Sequence, residues 1–222
     1  MPATPSADGT PAEGGARDQV TSRSASATRL SLSHITAQHE TNLLGTVHGG
    51  VVMTLVDSVA GVVAARHSGG PAVTASMDEM VFVVPVRVGD VVHFTAQVNW
   101  TGRSSMEIGV RITADRWDAV GPQVHVATAY LVFVAVDEDG KPRAVPQVVP
   151  ETDEDHRRMR EAEIRRSHRL ARRKAILDSR EATEAAAAGT SGATVGGAPE
   201  VAGTSGAATA GIDGAATGGA SE

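Results

Sequence analysis

The chain has 222 residues, no cysteine and a formal net charge of −6. The absence of cysteine excludes disulfides, thiolate zinc sites and a cysteine nucleophile, and it fits a cytoplasmic protein. Residues 26–149 hold 8 Lys and Arg against 11 Asp and Glu, so this part of the chain is not predicted to bind nucleic acid. The N-terminus has no basic segment followed by an apolar run, which predicts no signal peptide and no membrane insertion.

Composition divides the chain into four predicted segments. Residues 1–25 are rich in Ala, Ser, Thr, Pro and Gly, and residues 183–222 consist mainly of Ala, Gly, Thr and Ser. Both segments hold too little apolar surface to offset the entropy of ordering, so we predict disordered tails. Residues 26–150 have the length and hydrophobic pattern of one compact domain. Residues 151–182 are rich in Glu and Arg and predict a charged helix, either solvated or offering a basic arm to an anionic partner.

The elements of the compact domain follow in chain order. Residues 28–36 alternate apolar and polar side chains, which predicts a strand with Leu30, Leu32 and Ile35 on its buried side. A helix is predicted from Gly49 to His67, and the sequence SGGP ends it. Four strand-like runs separated by turn residues complete the domain. They are 72–86, 91–100, 104–114 and 123–136. One long apolar helix followed by consecutive strands predicts an α+β domain, with an antiparallel sheet wrapped around the helix.

The predicted helix is apolar nearly all round, yet it contains one carboxylate, Asp57. Burying an ionised Asp is costly unless it is paired or hydrogen-bonded. We therefore expect desolvation to make Asp57 a general base or a nucleophile. The alternative is a buried Asp that caps a neighbouring loop.

The residues ahead of the helix suggest a polar binding site. The amide of Asn42 suits the positioning of a carbonyl or a water, although a loop Asn often forms an Asx-turn instead. Gly49 and Gly50 open the helix, where free N–H groups favour an anion; alternatively, these glycines only allow close packing. His48 lies nine residues before Asp57, so we expect it to form a wall or cap and not a dyad. The remaining histidines show no metal-ligand spacing.

Several of these motifs occur together in register: NLLGTVHGG with Asp57 seven residues after its second Gly, then SSMEI, then GKPR. Over residues 28–148 the chain thereby resembles the hotdog-fold acyl-CoA thioesterases, notably the bacterial short- and medium-chain and the cytosolic brain-type acyl-CoA hydrolases. The resemblance implies a hotdog domain that hydrolyses fatty acyl-CoA to a free fatty acid and CoA. It implies no metal or redox cofactor.

The resemblance also implies roles for the residues of the site. Asp57 is the catalytic carboxylate, Asn42 of another protomer works opposite it, and the Gly50 amide stabilises the oxyanion. The protein would be a homodimer, with a hexamer built as a trimer of dimers. Residues expected to bind the acyl chain or CoA, unless they are ordinary core and turn residues, are His48, Gly49, Met80, Phe82, Arg103, Ser104, Ser105, Lys141 and Arg143.

Two other functions fit the same fold. One is another hotdog enzyme acting on acyl-carrier protein or enoyl-CoA; however, the Asp–His pair of the hydratases is missing, because Val62 stands five residues after Asp57. The other is a non-catalytic acyl-CoA sensor or scaffold. Regulators on this fold carry a DNA-binding segment ahead of the domain, and residues 1–27 are too short and irregular for one.

Overall fold

The structure is a computed structural model that describes residues 21–118 and 121–191, with side chains up to residue 185. The described residues divide into two units at Lys174, and the described part of the second unit is helical. The helices are α1 (Gly49–Ser68) and α2 (Asp153–Ser191). The strands are β1 (Ser22–Ser24), β2 (Leu30–Ile35), β3 (Ala72–Phe82), β4 (Asp90–Thr101), β5 (Ser105–Arg116), β6 (Val124–Ala135) and β7 (Gln147–Val149).

Five of the strands form one antiparallel sheet in the order β2-β4-β5-β6-β3, and β1 and β7 form a separate parallel pair. Helix α1 packs on one face of the sheet, and the core lies between them. Phe94, Ile108, Leu131 and Phe133 cover α1 from three central strands. The predicted antiparallel sheet around one long helix is therefore confirmed.

Helix α1 is not covered on all sides by the sheet of its own protomer, which corrects that part of the prediction. One face is buried and a second face is exposed to solvent. The buried positions are Val52, Val56, Val59, Ala60, Val63, Ala64, His67 and Ser68. The exposed positions are Met53, Thr54, Asp57, Ser58, Val62 and Arg66. The sheet covers one side of the helix only. By length and composition α1 could span a membrane, but its buried face is occupied by the sheet of its own domain.

Strand β3 lies at one edge of the sheet and contains two bulges. Its pairing with β6 shifts between Thr74 and Ser76 and again between Met77 and Glu79, so Ala75 and Asp78 are the extra residues. The two shifts place Thr74 opposite the buried Phe133 and place Met80 and Phe82 opposite Ala129 and Ala127. The helix-facing side of β3 therefore includes Thr74, Met80 and Phe82.

Three sequence predictions about the edges of the domain are wrong. Leu32 is 36% exposed and Ile35 is 64% exposed, because β2 is an edge strand and Ile35 has the opposite parity to Leu30. Strand β1 lies within segment 1–25, which was predicted to be disordered. It is ordered because it pairs with β7 from the far end of the domain. Helix α2 continues beyond the predicted end at 182 to Ser191. Residues 1–20 and 192–222 of the predicted tails lie outside the described residues.

Helix α2 packs on the outer face of the sheet through charged side chains. Arg165 forms two hydrogen bonds, of 2.6 and 3.2 Å, with the buried carboxylate of Glu107 on β5. The same guanidinium lies 3.5 Å from the centroid of the Tyr130 ring on β6. Arg169 pairs with Asp78, the extra residue in the second bulge of β3. Charged groups therefore hold this helix in place where the sequence shows no strong apolar stripe.

Candidate active site

A tight loop leads into α1 and carries the first predicted site residue. Thr41 and Val47 pair across the loop, the backbone N–H of Asn42 donates to the Thr46 carbonyl at 2.8 Å, and Gly45 adopts a positive φ of 74°. Two further bonds anchor the entrance of the helix. The Val47 N–H donates to Val86 at 2.9 Å, and the His48 N–H donates to Glu40 at 2.8 Å.

The Asn42 side chain forms an Asx-turn within this loop. Its Oδ1 accepts from the backbone N–H groups of Leu44 at 2.8 Å and Thr46 at 3.3 Å. Its Nδ2 donates to Thr46 Oγ1 at 2.9 Å. Within one protomer, Asn42 therefore forms the Asx-turn that the sequence suggested as the alternative to a catalytic role. The same bonds hold the amide in a fixed position at the entrance of α1.

His48 caps the N-terminus of α1. Its Nδ1 accepts the backbone N–H of Gly50 at 2.9 Å, and its carbonyl accepts the N–H of Val51 at 2.9 Å. The cap role expected for His48 is thus present. The free Gly50 amide expected as the oxyanion donor is absent, because a His side chain reaches the second amide of the helix from the N-cap position.

Asp57 lies on the exposed face of α1 within one protomer, which corrects the prediction that it is buried. Its Oδ1 accepts a hydrogen bond of 2.7 Å from Thr74 Oγ1. Thr74 was not recognised from the sequence. The residue lies in an edge strand, and its hydrogen-bond partner is on another element, so no local pattern in the sequence marks it.

An apolar pocket of about 310 Å³ opens at the start of α1. Phe82 lies over the helix, and a Cβ added to Gly49 would be 3.6 Å from the edge of its ring. The residues lining the pocket are Val47, Gly49, Val52, Phe82, Val83, Val84, Pro85 and Val86. Met80 is partly buried against the core. The structure thus brings Phe82 and Gly49 together, as expected for a site that accepts an acyl chain, whereas Met80 belongs to the core beside it.

The two basic turns predicted to bind CoA lie next to each other. The backbone N–H of Val145 donates to the Arg103 carbonyl at 3.0 Å, and that of Ala135 donates to the Ser104 carbonyl at 2.9 Å. Ser105 closes the same turn through its carbonyl, which accepts from Gly102 at 2.7 Å. These bonds join the β4–β5 turn to the segment after β6. The exposed Lys141 in that segment forms a solvent-exposed ion pair with Asp139.

Arg143 differs from the other basic residues. Its guanidinium donates to the Ser68 carbonyl at 2.8 Å, to Ser68 Oγ at 3.2 Å and to the Val136 carbonyl at 3.0 Å. Ser68 is the last residue of α1, so this cation stabilises the C-terminus of the helix. A phosphate-binding role for Arg143 is not supported, because the protein itself occupies its donors.

The parts of the predicted site do not converge within one protomer. Gly50 and Asp57 are seven residues apart on one helix, which corresponds to roughly 10 Å along its axis. Asn42, His48 and the pocket lie at the entrance of the helix, and Asp57 and Thr74 lie further along it. Within residues 21–118 and 121–185, no group of three or more His, Asp and Glu side chains could hold a metal ion.

Comparison with known proteins identifies relatives of the chain. Residues 44–116 match the thioesterase superfamily. The chain is 42% identical over 116 residues to the uncharacterised acyl-CoA thioester hydrolase YkhA of Bacillus subtilis, which covers 52% of this chain and 67% of YkhA. It is 40% identical over 136 residues to the cytosolic acyl coenzyme A thioester hydrolase of Mus musculus, which covers 61% of this chain. The match spans only 36% of the mouse protein.

Two solved structures are similar over most of their length. An acyl-CoA hydrolase from Staphylococcus aureus, solved with butyryl-CoA and CoA, is 34% identical with a TM-score of 0.66 and covers 74% of this chain and 98% of its own. A hexameric acyl-CoA thioesterase is 35% identical with a TM-score of 0.66 and covers 69% of this chain and 97% of its own.

Three alanine variants of the Staphylococcus aureus enzyme have also been solved, at one Asn, one Asp and one Thr. Along that chain the Asn precedes the Asp by 15 residues and the Thr follows the Asp by 17. Asn42, Asp57 and Thr74 have the same two spacings here. Sequence, fold and the spacing of these three residues agree, and the chain therefore belongs to the hotdog-fold thioesterase superfamily, among the acyl-CoA thioester hydrolases.

Proposed function

We propose that this protein is a cytoplasmic acyl-CoA thioesterase that hydrolyses fatty acyl-CoA to a free fatty acid and CoA. The observation that carries the proposal is the Asp57–Thr74 hydrogen bond of 2.7 Å on a helix whose N-terminus lines an apolar pocket, in a chain whose relatives are named for this reaction. Asn42, Asp57 and Thr74 are spaced like the three residues replaced in the Staphylococcus aureus enzyme.

Asp57 supplies or activates the nucleophile in this proposal. Thr74 holds the carboxylate through Oδ1, and the carboxylate either takes a proton from water or attacks the thioester carbonyl itself. With water as the nucleophile, Asp57 takes its proton, the new C–O bond forms, the C–S bond breaks and the CoA thiolate leaves. With direct attack, the C–S bond breaks as an anhydride forms on Asp57, and water then hydrolyses the anhydride to the fatty acid and the free carboxylate. The N-terminus of α1 offers the positive end of a helix dipole to the negative charge that develops on the carbonyl oxygen.

The catalytic residues come from two protomers. Within one protomer, about 10 Å of helix separates Gly50 from Asp57, which exceeds the reach of groups that act on one carbonyl. The exposed face of α1 and the edge strand β3 together present apolar side chains that fit a homodimer interface. They are Met53 (42% exposed), Val62 (42%), Val73 (51%), Val81 (53%) and Phe82 (45%). We propose that three such dimers form a hexamer, by analogy with the hexameric neighbour.

The CoA nucleotide lies in this proposal on the joined turns that contain Arg103, Ser104, Ser105 and Lys141. Backbone bonds join Arg103 and Ser104 to the segment after β6, which also contains Lys141. Such groups suit the diphosphate and the 3′-phosphate of CoA. Arg143 is left out of the surface because it caps α1.

The test is release of CoA from a panel of acyl-CoA esters from C2 to C18, followed with a thiol-reactive dye. The protein contains no cysteine, so its own reaction with the dye is absent. We expect turnover by the wild type and loss of turnover in Asp57→Ala. Tight acyl-CoA binding without turnover would instead favour the non-catalytic sensor.

Mixing two inactive variants tests the shared site. Asn42→Ala and Asp57→Ala are unfolded together and refolded as a mixture. Random pairing in a two-fold symmetric dimer restores about a quarter of wild-type activity, because each mixed dimer regains one intact site. The control is a mixture of separately refolded proteins. No recovery in the co-refolded sample would contradict a site shared between protomers.

A further inference from the structure

The cap of α1 fixes the chemical state of His48. Nδ1 accepts the Gly50 N–H at 2.9 Å, and a ring nitrogen accepts a hydrogen bond only when it carries no proton. The neutral ring therefore carries its proton on Nε2.

The second ring nitrogen of His48 has no hydrogen-bond partner within the described residues. The side chain is exposed, and its two chain neighbours, Val47 and Gly49, line the apolar pocket. Its backbone is held on both sides, by the N–H bond to Glu40 and by the carbonyl bond from Val51. A donor held in this way needs little reorganisation when a thioester enters the pocket.

We propose that the Nε2–H of His48 is the side-chain donor that polarises the thioester carbonyl, and that the Gly50 amide acts through the imidazole ring. This inference rests on the proposed thioesterase function and names a catalytic residue within it. As the nucleophile adds, the carbonyl oxygen gains negative charge and the bond from Nε2–H strengthens. When the C–S bond breaks, the charge leaves with the CoA thiolate, and His48 keeps its proton throughout.

The competing arrangement predicts the opposite response to mutation. If the Gly50 amide were itself the donor, His48 would only cover it, and removing the imidazole would free it. His48→Phe would then be as fast as the wild type or faster. If Nε2–H is the donor, His48→Phe lowers kcat about 10²- to 10³-fold, the usual loss for one oxyanion donor, with little change in KM.

Two variants, His48→Asn and His48→Asp, separate the capping role of His48 from its role as a hydrogen-bond donor. His48→Asn keeps an oxygen that accepts the Gly50 N–H and an N–H₂ group that donates, so we expect it to retain most of the wild-type kcat. His48→Asp keeps the acceptor and loses the donor, so we expect its kcat to fall as far as that of His48→Phe. Thermal unfolding of each variant checks that the helix remains capped. Equal kcat for Asn and Asp, or an unimpaired Phe variant, would overturn the inference and leave the thioesterase proposal standing.

A second measurement does not depend on turnover. With ¹⁵N-labelled histidine, the ring resonances of His48, assigned by their absence in His48→Asn, should report a protonated Nε2 and an unprotonated Nδ1. A protonated Nδ1 would overturn the inference. Absence of CoA release by the wild type on the whole acyl-CoA panel would overturn the thioesterase proposal and this inference with it.

Discussion

Two carboxylates on opposite sides of the sheet differ in almost every respect. Asp57 lies on the exposed face of α1 with the Thr74 hydroxyl as its hydrogen-bond donor. Glu107 is 2% exposed beneath α2, where it accepts from both Arg165 and Asn99. A carboxylate surrounded by donors holds elements together, whereas one held by a single hydroxyl keeps the capacity to take up a proton or to attack. The difference separates a reactive group from a structural one.

The sequence suggested the reverse of this arrangement for Asp57. Its apolar helix predicted burial, and Glu107 gave no sign of burial in a strand of mixed residues. Each side chain is exposed or buried because of what covers its face of the sheet or helix. Helix α2 covers the outer face at Glu107, and in one protomer nothing within the described residues covers Asp57. The following changes test whether the Asp57 region determines kcat and the Glu107 region determines the free energy of unfolding.

The largest effect is expected for Asp57→Asn. The change removes the base or nucleophile and keeps the shape of the side chain, so kcat should fall about 10²- to 10⁴-fold. The Asn side chain retains an oxygen that can accept from Thr74 Oγ1, so we expect little change in the free energy of unfolding. Steady-state CoA release and thermal unfolding measure the two quantities. A variant that loses stability and keeps its kcat would reverse the assignment of the two carboxylates.

The matched change on the outer face is Glu107→Ala. It leaves the Arg165 guanidinium against the sheet without its carboxylate, so the free energy of unfolding should fall by about 3 kcal/mol or more. We expect kcat per folded molecule to stay close to that of the wild type. Urea unfolding with an unchanged m-value measures the loss. A selective loss of kcat in a fully folded sample would show that the outer face participates in the reaction.

A smaller effect is expected for Thr74→Val. The variant keeps the side-chain shape and removes the hydrogen bond to Asp57, and a bond to a charged group contributes about 1.5–3 kcal/mol. We therefore expect kcat to fall about 10- to 100-fold. Thr74→Ser retains the hydroxyl and serves as the control. If Val and Ser variants have equal kcat, Thr74 does not hold Asp57 during the reaction.

The smallest effect concerns the C-terminal end of α1. Burial lowers the pKa of His67 below its ordinary value and nearby Arg23 adds to this, while the bond of 2.8 Å to the Pro146 carbonyl partly opposes it. The unfolded chain takes up this proton near pH 6.5 and the folded chain does so only at lower pH. The free energy of unfolding should therefore decrease as pH falls below about 6.5, by at most about 1.4 kcal/mol per pH unit.

The control for this prediction is His67→Gln. Urea unfolding at several pH values from about 4.5 to about 7.5 should show a flatter pH dependence in the variant than in the wild type. Identical slopes for both proteins would mean that another group titrates with folding. The absolute stability of the variant does not enter this comparison.

Much of the fold could be predicted from the sequence because its signals are local. Helix α1 has a Gly-Gly start, and at its end Gly69 adopts the left-handed conformation with a φ of 72°. Alternation and turn residues located β4, β5 and β6 within two residues at each end. Asn42, His48 and Asp57 were recognised because their types stand out against glycine and apolar residues around them.

The remaining features depend on contacts between distant residues. Thr74 reaches Asp57 because β3 pairs with β6 and so runs beside α1, a contact between distant elements that leaves no trace in the local sequence. Arg143 closes α1 because the segment after β6 returns to that end of the helix. His48 holds the Gly50 amide because a rotamer brings Nδ1 to it. Residue type and spacing determined the elements and the chemical groups, whereas burial, hydrogen-bond partners and the pairing of Asp57 with Thr74 were decided by tertiary structure, since each depends on what folds over it.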